Sequence, residues 1–204
     1  MSSREVIAVD IDDVLAANAV GFVEFSNKKW GTNLVPNDYH DHWAELWGVE
    51  NHEAVVRADT LVTDRVFRQY NHLEDALPVL KKLTRKYDLI VVTARRVVAK
   101  KDTEDWINEY FEGIFKEIHF AGIWDEVNDH SIQKGKGEIL RDIGVHYLID
   151  DQVKHCKTAA EHGIQTLLFG NYTWNKVDNL PVNINKVADW KQVEEFFSGQ
   201  KSKL

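Results

Sequence analysis

Short apolar runs that stop abruptly at a polar or small residue recur along the chain, with helical spacing between them. Residues 5–9 (Glu-Val-Ile-Ala-Val) stop at Asp10, residues 88–92 (Asp-Leu-Ile-Val-Val) at Thr93, and residues 145–149 (Val-His-Tyr-Leu-Ile) at Asp150. Residues 164–169 (Ile-Gln-Thr-Leu-Leu-Phe) stop at Gly170, and residues 116–121 form a weaker run. Nearly continuous apolar runs of this length predict strands covered on both faces, as in a parallel sheet. Leu77, Leu80, Leu83 and Tyr87 share one helical face. Trp106, Ile107, Tyr110 and Phe111 do the same, with Asp102 or Thr103 as the capping residue. Residues 136–143 and 152–162 read as helices stopped by Gly144 and Gly163, and residues 187–197 as a closing helix. The alternation predicts an α/β fold, an open parallel sheet with helices on both faces.

One stretch breaks the rhythm. Residues 16–75 hold helical runs near 16–29, 38–47 and 50–62 and no strand pattern. Sixty such residues are too many for a plain crossover between strands one and two. They predict a small helical unit inserted into an α/β body made of residues 1–15 and 76–204. Composition narrows the class. With 204 residues the chain is long enough for a full core without metal or disulfide staples. Its 25 basic and 33 acidic residues give a net charge of −8 and form no basic run, which argues against a nucleic-acid polymer or an anionic membrane as partner. A single cysteine, Cys156, excludes an internal disulfide. The N-terminal segment lacks the apolar stretch of a signal peptide, and a cytoplasmic location is expected.

In open α/β sheets, ligands bind beyond the carboxyl ends of the strands. There this chain places Asp10-Ile11-Asp12-Asp13, Thr93-Ala94-Arg95-Arg96 and Asp150-Asp151, with Lys134 and Lys136 ahead of the helix that leads to the fourth strand. Each has an ordinary alternative. Asp12, Asp13, Asp150, Asp151 and Thr93 could cap helices, and the lysines could belong to a solvated loop. Together they form an inventory for phosphoryl transfer. Converging carboxylates repel one another and require a cation, and hard oxygen ligands suit Mg²⁺. One carboxylate can attack while a second, two residues on, moves the proton. A hydroxyl and an ammonium would bind the transferring group.

These residues resemble the four motifs of the haloacid dehalogenase superfamily of phosphohydrolases, in order, over residues 5–170. The resemblance implies a Rossmann-like body. It implies Asp10 as nucleophile, forming an aspartyl-phosphate, and Asp12 as general acid/base, its main-chain carbonyl also on Mg²⁺. Thr93 would bind the phosphoryl group. Lys136, preferred over Lys134 because it opens the helix, would neutralise charge. Asp151 would ligate the metal, with Asp150 as a second ligand or outer partner.

A narrower resemblance joins Asp-Ile-Asp-Asp-Val-Leu-Ala, Val-Val-Thr-Ala-Arg, Leu-Ile-Asp-Asp and Asn-Tyr-Thr-Trp-Asn (171–175) to the 5′(3′)-deoxyribonucleotidase branch. That branch inserts a helical cap where residues 16–75 fall, and it implies a nucleoside monophosphate as substrate. Trp43, Trp47, Phe67 and Tyr70 are then candidates to stack on the base, with core packing as the alternative for each. Arg95 is a candidate for phosphate or ribose, with a solvated helix start as its alternative. Other function classes are a phosphatase of a different small metabolite, such as a sugar phosphate, and a non-enzymatic binding protein on the same fold. His40 and His42 flank Asp41 with no evident third ligand, which argues against a metal site there.

Overall fold

The computed structural model describes residues 4–121 and 135–199. Six strands are defined among them: β1 (Val6–Val9), β2 (Asp88–Thr93), β3 (Ile118–Phe120), β4 (Tyr147–Asp150), β5 (Gln165–Phe169) and β6 (Ile184–Val187). They form one parallel sheet in the order β3-β2-β1-β4-β5-β6. The α/β, Rossmann-like architecture expected from the apolar runs is therefore present. β1 lies between β2 and β4, with Ile7 opposite both Leu89 and Tyr147. The chain builds outward from β1 through β2 and β3, then crosses back to β4. This reversal opens a crevice at the carboxyl ends of β1, β2 and β4.

Alternation along the strands sorts the core into two layers. Ile7, Val9, Leu89, Val91 and Ile149 join one apolar cluster. Ala8, Ile90, Val92 and Leu148 join another, which holds Leu140 of α6 (Lys136–Ile143) and Ala159 of α7 (Val153–Glu161). Between β1 and β2 run α1 (Asn18–Trp30), α2 (Trp43–Trp47), α3 (Asn51–Thr63) and α4 (Ala76–Leu83), with no strand among them. Phe22 of α1 is the hub of an aromatic group, its ring 5.1–5.2 Å from those of Tyr39, Trp43 and Trp47. Phe22, Trp47 and Leu61 share the first cluster with Ile7 and Val9, so the inserted helices and the sheet have one continuous core.

Three local expectations are corrected. α5 (Lys100–Phe111) starts before Asp102 and has no side-chain cap. Asp102 instead accepts a hydrogen bond from Arg65 Nε at 2.9 Å, and Thr103 Oγ1 accepts from Arg95 Nη1 at 3.3 Å. β6 occupies residues expected to lead into the closing helix. Its pattern Ile-Asn-Lys-Val has two polar positions in four, ordinary for an edge strand and weak as a signal. The closing helix, α8, is accordingly later, Trp190–Gly199. Lys134 lies outside the described residues.

Candidate active site

Four apolar residues after β1 fix the loop that carries the first acids. Asp10 N–H extends the strand ladder to Ile149 O at 2.9 Å. The N–H groups of Leu15 and Ala16 both donate to Ile11 O at 2.8 Å, and Ile11, Val14, Leu15 and Ala16 are fully buried. Asp13 takes the left-handed conformation, φ 56°. Its carboxylate accepts from Ala19 N–H at 3.0 Å and from Asn18 Nδ2 at 3.2 Å, so Asp13 holds the start of α1. The capping role open to Asp12 or Asp13 therefore falls to Asp13, reached from five residues upstream. Asp12 is left to project from the loop.

Lys136 is the first residue of α6, and its side chain is wholly buried. Nζ lies 2.9 Å from Asp10 Oδ1 and 2.5 Å from Asp150 Oδ2. The other oxygen of Asp150 accepts from Gln152 N–H at 2.8 Å. Asp151 Oδ2 accepts from Trp174 Nε1 at 2.6 Å and from Gln152 Nε2 at 2.9 Å. One oxygen from each of Asp10, Asp150 and Asp151 falls within 4.8 Å of the others, the one such group of possible metal ligands among the described residues.

Burial dominates the electrostatics here. It pushes Asp10 up to about 7 against the pull of Lys136, with Asp150 and Asp12 adding to the rise. Asp13 is pushed up to about 7 by burial, and Asp151 well above the usual carboxylate range by burial and Asp150. Burial acts to lower Lys136, but Asp10 and Asp150 overcome it and hold the ammonium above its ordinary value. One ammonium among three buried carboxylates leaves an excess of negative charge that a hard divalent cation would offset. The donor set therefore fits Mg²⁺.

Above this cluster opens a cavity of about 730 Å³. Asp10, Asp12 and Asp151 lie on its wall, as do Trp43, Phe67 and Arg95. Thr93 is fully buried at the end of β2 and accepts from Arg95 N–H through Oγ1 at 3.2 Å. Arg95, expected either at substrate or in solvent, is buried and turned onto Asp12: Nη2 to Oδ1 is 2.6 Å and Nε to Oδ2 3.0 Å. Trp47 and Tyr70 are off the cavity wall. Trp47 is stacked on Phe22 and donates from Nε1 to Ser26 Oγ at 3.0 Å. Tyr70 is buried against α1, where a Cβ on Gly21 would lie 2.3 Å from its ring. His40 and His42 have ring centroids 6.0 Å apart, and Asp41 pairs with Lys154.

Tyr172 and Trp174 received no role from sequence. Their rings stack at 4.5 Å with an interplanar angle of 1°, and Tyr172 Oη donates to Asp13 O at 2.7 Å. Only their place in Asn-Tyr-Thr-Trp-Asn drew attention to them. His155 was also missed. It is buried on the cavity wall, four residues beyond Asp151 on α7.

Comparison with known proteins identifies the family and the fold. A curated protein of Staphylococcus epidermidis named "Putative 5'(3')-deoxyribonucleotidase" is 24% identical over 198 residues, covering 96% of this chain and 97% of the relative. A Staphylococcus aureus protein of the same name is 24% identical over 202 residues, covering 96% of each. Among solved structures, a haloacid dehalogenase-like hydrolase from Streptococcus pneumoniae superposes with a TM-score of 0.71 at 16% identity, covering 97% of this chain and all of that one. A magnesium-bound haloacid dehalogenase-type hydrolase from Bacillus subtilis does so at 0.62 and 13% identity, covering 96% and 99%. The family model described as "5' nucleotidase, deoxy (Pyrimidine), cytosolic type C protein" matches residues 4–202. With that match spanning almost the whole chain, the protein belongs to this nucleotidase family of the haloacid dehalogenase superfamily and is a phosphoric monoester hydrolase.

Proposed function

We propose that the protein is a Mg²⁺-dependent 5′-nucleotidase that works through an aspartyl-phosphate. The observation that carries this reading is the placement of Asp10: at the end of the central strand, on the cavity wall, 2.9 Å from the Lys136 ammonium, with Asp12 two residues on. An Asp10 oxygen attacks phosphorus, the bond to the leaving oxygen breaks, and Asp12 gives that oxygen a proton. Asp12 then takes a proton from water as the water attacks the aspartyl-phosphate, which returns Asp10 and releases phosphate. Lys136 faces the charge that passes between Asp10 and the phosphoryl oxygens. Thr93 has a hydroxyl proton to offer those oxygens, because its accepting side is occupied by Arg95 N–H.

Bound by Asp10, Asp151 and the Asp12 carbonyl, with Asp150 as a further ligand or outer partner, Mg²⁺ would neutralise the transferring phosphoryl group. Residues 16–75 would form the cap. Trp43 and Phe67, on the cavity wall, are the candidates to meet a nucleobase. Trp47 and Tyr70 are left out of that role, since neither reaches the cavity. The cytoplasm is the proposed compartment, in keeping with a cytosolic-type family.

The test is phosphate release from nucleoside monophosphates and sugar phosphates, with Mg²⁺ and with EDTA. Mg²⁺-dependent release concentrated on nucleotides supports the reading. Release from sugar phosphates alone replaces the substrate and keeps the mechanism. No release from any of them points to a binding protein.

A further inference from the structure

We infer that Arg95 is a positioning residue for the Asp12 carboxylate, and that the inserted helical segment holds it in place through Phe67 and Tyr70. The inference rests on the proposed proton-transfer role of Asp12. It assigns Arg95 a function within the enzyme in place of the substrate contact expected from sequence.

The geometry is that of a two-pronged clamp. Nη2 of Arg95 approaches Asp12 Oδ1 at 2.6 Å, and Nε approaches Oδ1 and Oδ2 at 3.1 and 3.0 Å. A planar guanidinium meeting a carboxylate in this way fixes direction as well as charge. The third nitrogen, Nη1, donates to Thr103 Oγ1 on α5 at 3.3 Å, and the backbone N–H donates to Thr93 Oγ1. Every nitrogen of the residue is therefore committed to protein, and the Arg95 side chain is only 2% exposed. Its side chain offers almost no surface to a substrate phosphate.

Two rings complete the seat. The guanidinium carbon lies 4.9 Å from the centre of the Phe67 ring and 5.9 Å from that of Tyr70. Both rings lie between α3 and α4, in the inserted segment, whereas Asp12 and Arg95 follow strands of the body. Cation–π contact in a buried setting is worth more than at the surface. Arg95 thus ties the insertion to the acid whose proton the leaving group needs. Asp12 itself keeps 27% of its side chain exposed and remains on the cavity wall. It is held from behind and open in front, as a group that must meet both a leaving oxygen and a water requires.

Such a residue has a kinetic signature that a substrate contact lacks. Misdirecting Asp12 slows proton transfer and lowers kcat while KM changes little; losing a substrate contact raises KM. The experiment compares wild type, Arg95→Met, Arg95→Lys, Asp12→Asn and the Asp12→Asn/Arg95→Met double variant. All are assayed with Mg²⁺ on a nucleoside 5′-monophosphate and on p-nitrophenyl phosphate, whose leaving group departs without a proton. Methionine keeps an apolar stem against Phe67 and Tyr70. Melting midpoints identify any variant that does not fold, in which case Arg95→Lys carries the test. Arg95→Met should lose about 100-fold in kcat on the nucleotide, with KM within about threefold. In a single turnover with enzyme in excess, release of p-nitrophenolate, which needs no leaving-group proton, should slow at least tenfold less than release of the nucleoside. In the Asp12→Asn background the same change should cost less than about threefold, because the residue it positions is already disabled. Arg95→Lys, which keeps the charge and loses the fork, should fall between.

A raised KM with kcat intact overturns the inference and returns Arg95 to the substrate. Losses that multiply in the double variant, or single-turnover losses in leaving-group release that are equal on the two substrates, overturn it as well. A wild type without turnover, or full nucleotide turnover by Asp12→Asn, instead overturns the reading of the site on which the inference stands.

Discussion

Trp174 donates its indole N–H at 2.6 Å to Oδ2 of Asp151, a member of the buried carboxylate cluster. Gln152 Nε2 reaches the same oxygen at 2.9 Å, so Oδ2 is saturated and Oδ1 is left for a cation. Phenylalanine at 174 would keep the stack on Tyr172 and remove the donor. Trp174→Phe should weaken Mg²⁺ binding about tenfold, read by calorimetric titration of the substrate-free protein. An unchanged affinity would separate Trp174 from the metal site.

Asp10 is the second test. Asparagine at this position has the same shape, and Lys136 keeps Asp150 as its partner at 2.5 Å. Burial disfavours the charged form of Asp10, so removing its carboxylate relieves a charge the site tolerates poorly. Asp10→Asn should therefore melt within about 5 °C of wild type. Its phosphate release should fall at least about a thousandfold. Release within tenfold of wild type would exclude Asp10 as the nucleophile.

The parts of this protein that were readable from sequence are those where one residue's neighbours dictate its surroundings. Strands β1, β2, β4 and β5 are buried on both faces, so their apolar runs are nearly continuous and end where the sheet ends. Asp10, Thr93 and Asp150 stand at those ends. β6 was hidden because only Ile184 and Val187 are buried in it, a pattern that neither alternates nor runs apolar. Arg95 and Trp174 were misjudged or overlooked for a different reason. Their roles depend on partners 83 and 23 residues away, and no local pattern announces such a pairing. The aromatic residues divide likewise. Trp43 and Trp47 share one short helix, yet the direction of each side chain places only Trp43 on the cavity wall.

His155 provides a test of pH dependence. Burial lowers its imidazole from 6.5 to about 4, with Lys136 and Lys154 also acting to lower it and Asp150 and Asp41 opposing. Between those values the unfolded chain binds a proton that the folded chain does not. The stability tied to neutral His155 is complete above pH 6.5 and is lost as pH falls toward 4. The buried acids Asp10 and Asp13 change stability in the opposite sense throughout this range, because burial raises them. The informative quantity is therefore the difference between wild type and His155→Gln in urea unfolding. That difference should shift against wild type by up to about 1.4 kcal/mol per pH unit between pH 6 and pH 4.5. A difference that stays flat would mean His155 is protonated in the folded state.

Gly137 supports the site from behind. It follows Lys136 in the first turn of α6, and a Cβ there would lie 2.9 Å from the backbone carbon and oxygen of Thr158 on α7. Backbone cannot move aside as a side-chain tip can, so alanine must push α6 away from α7. That displacement acts on the turn from which Lys136 reaches Asp10. Gly135, two residues earlier, is the control. A Cβ there meets only Glu138 Oε2 at 4.0 Å, and its φ of −59° suits any residue. Gly137→Ala should cost about 1–3 kcal/mol in urea unfolding and lower phosphate release. Gly135→Ala should cost under about 1 kcal/mol. Equal costs at the two positions would mean that the α6–α7 contact does not fix the lysine.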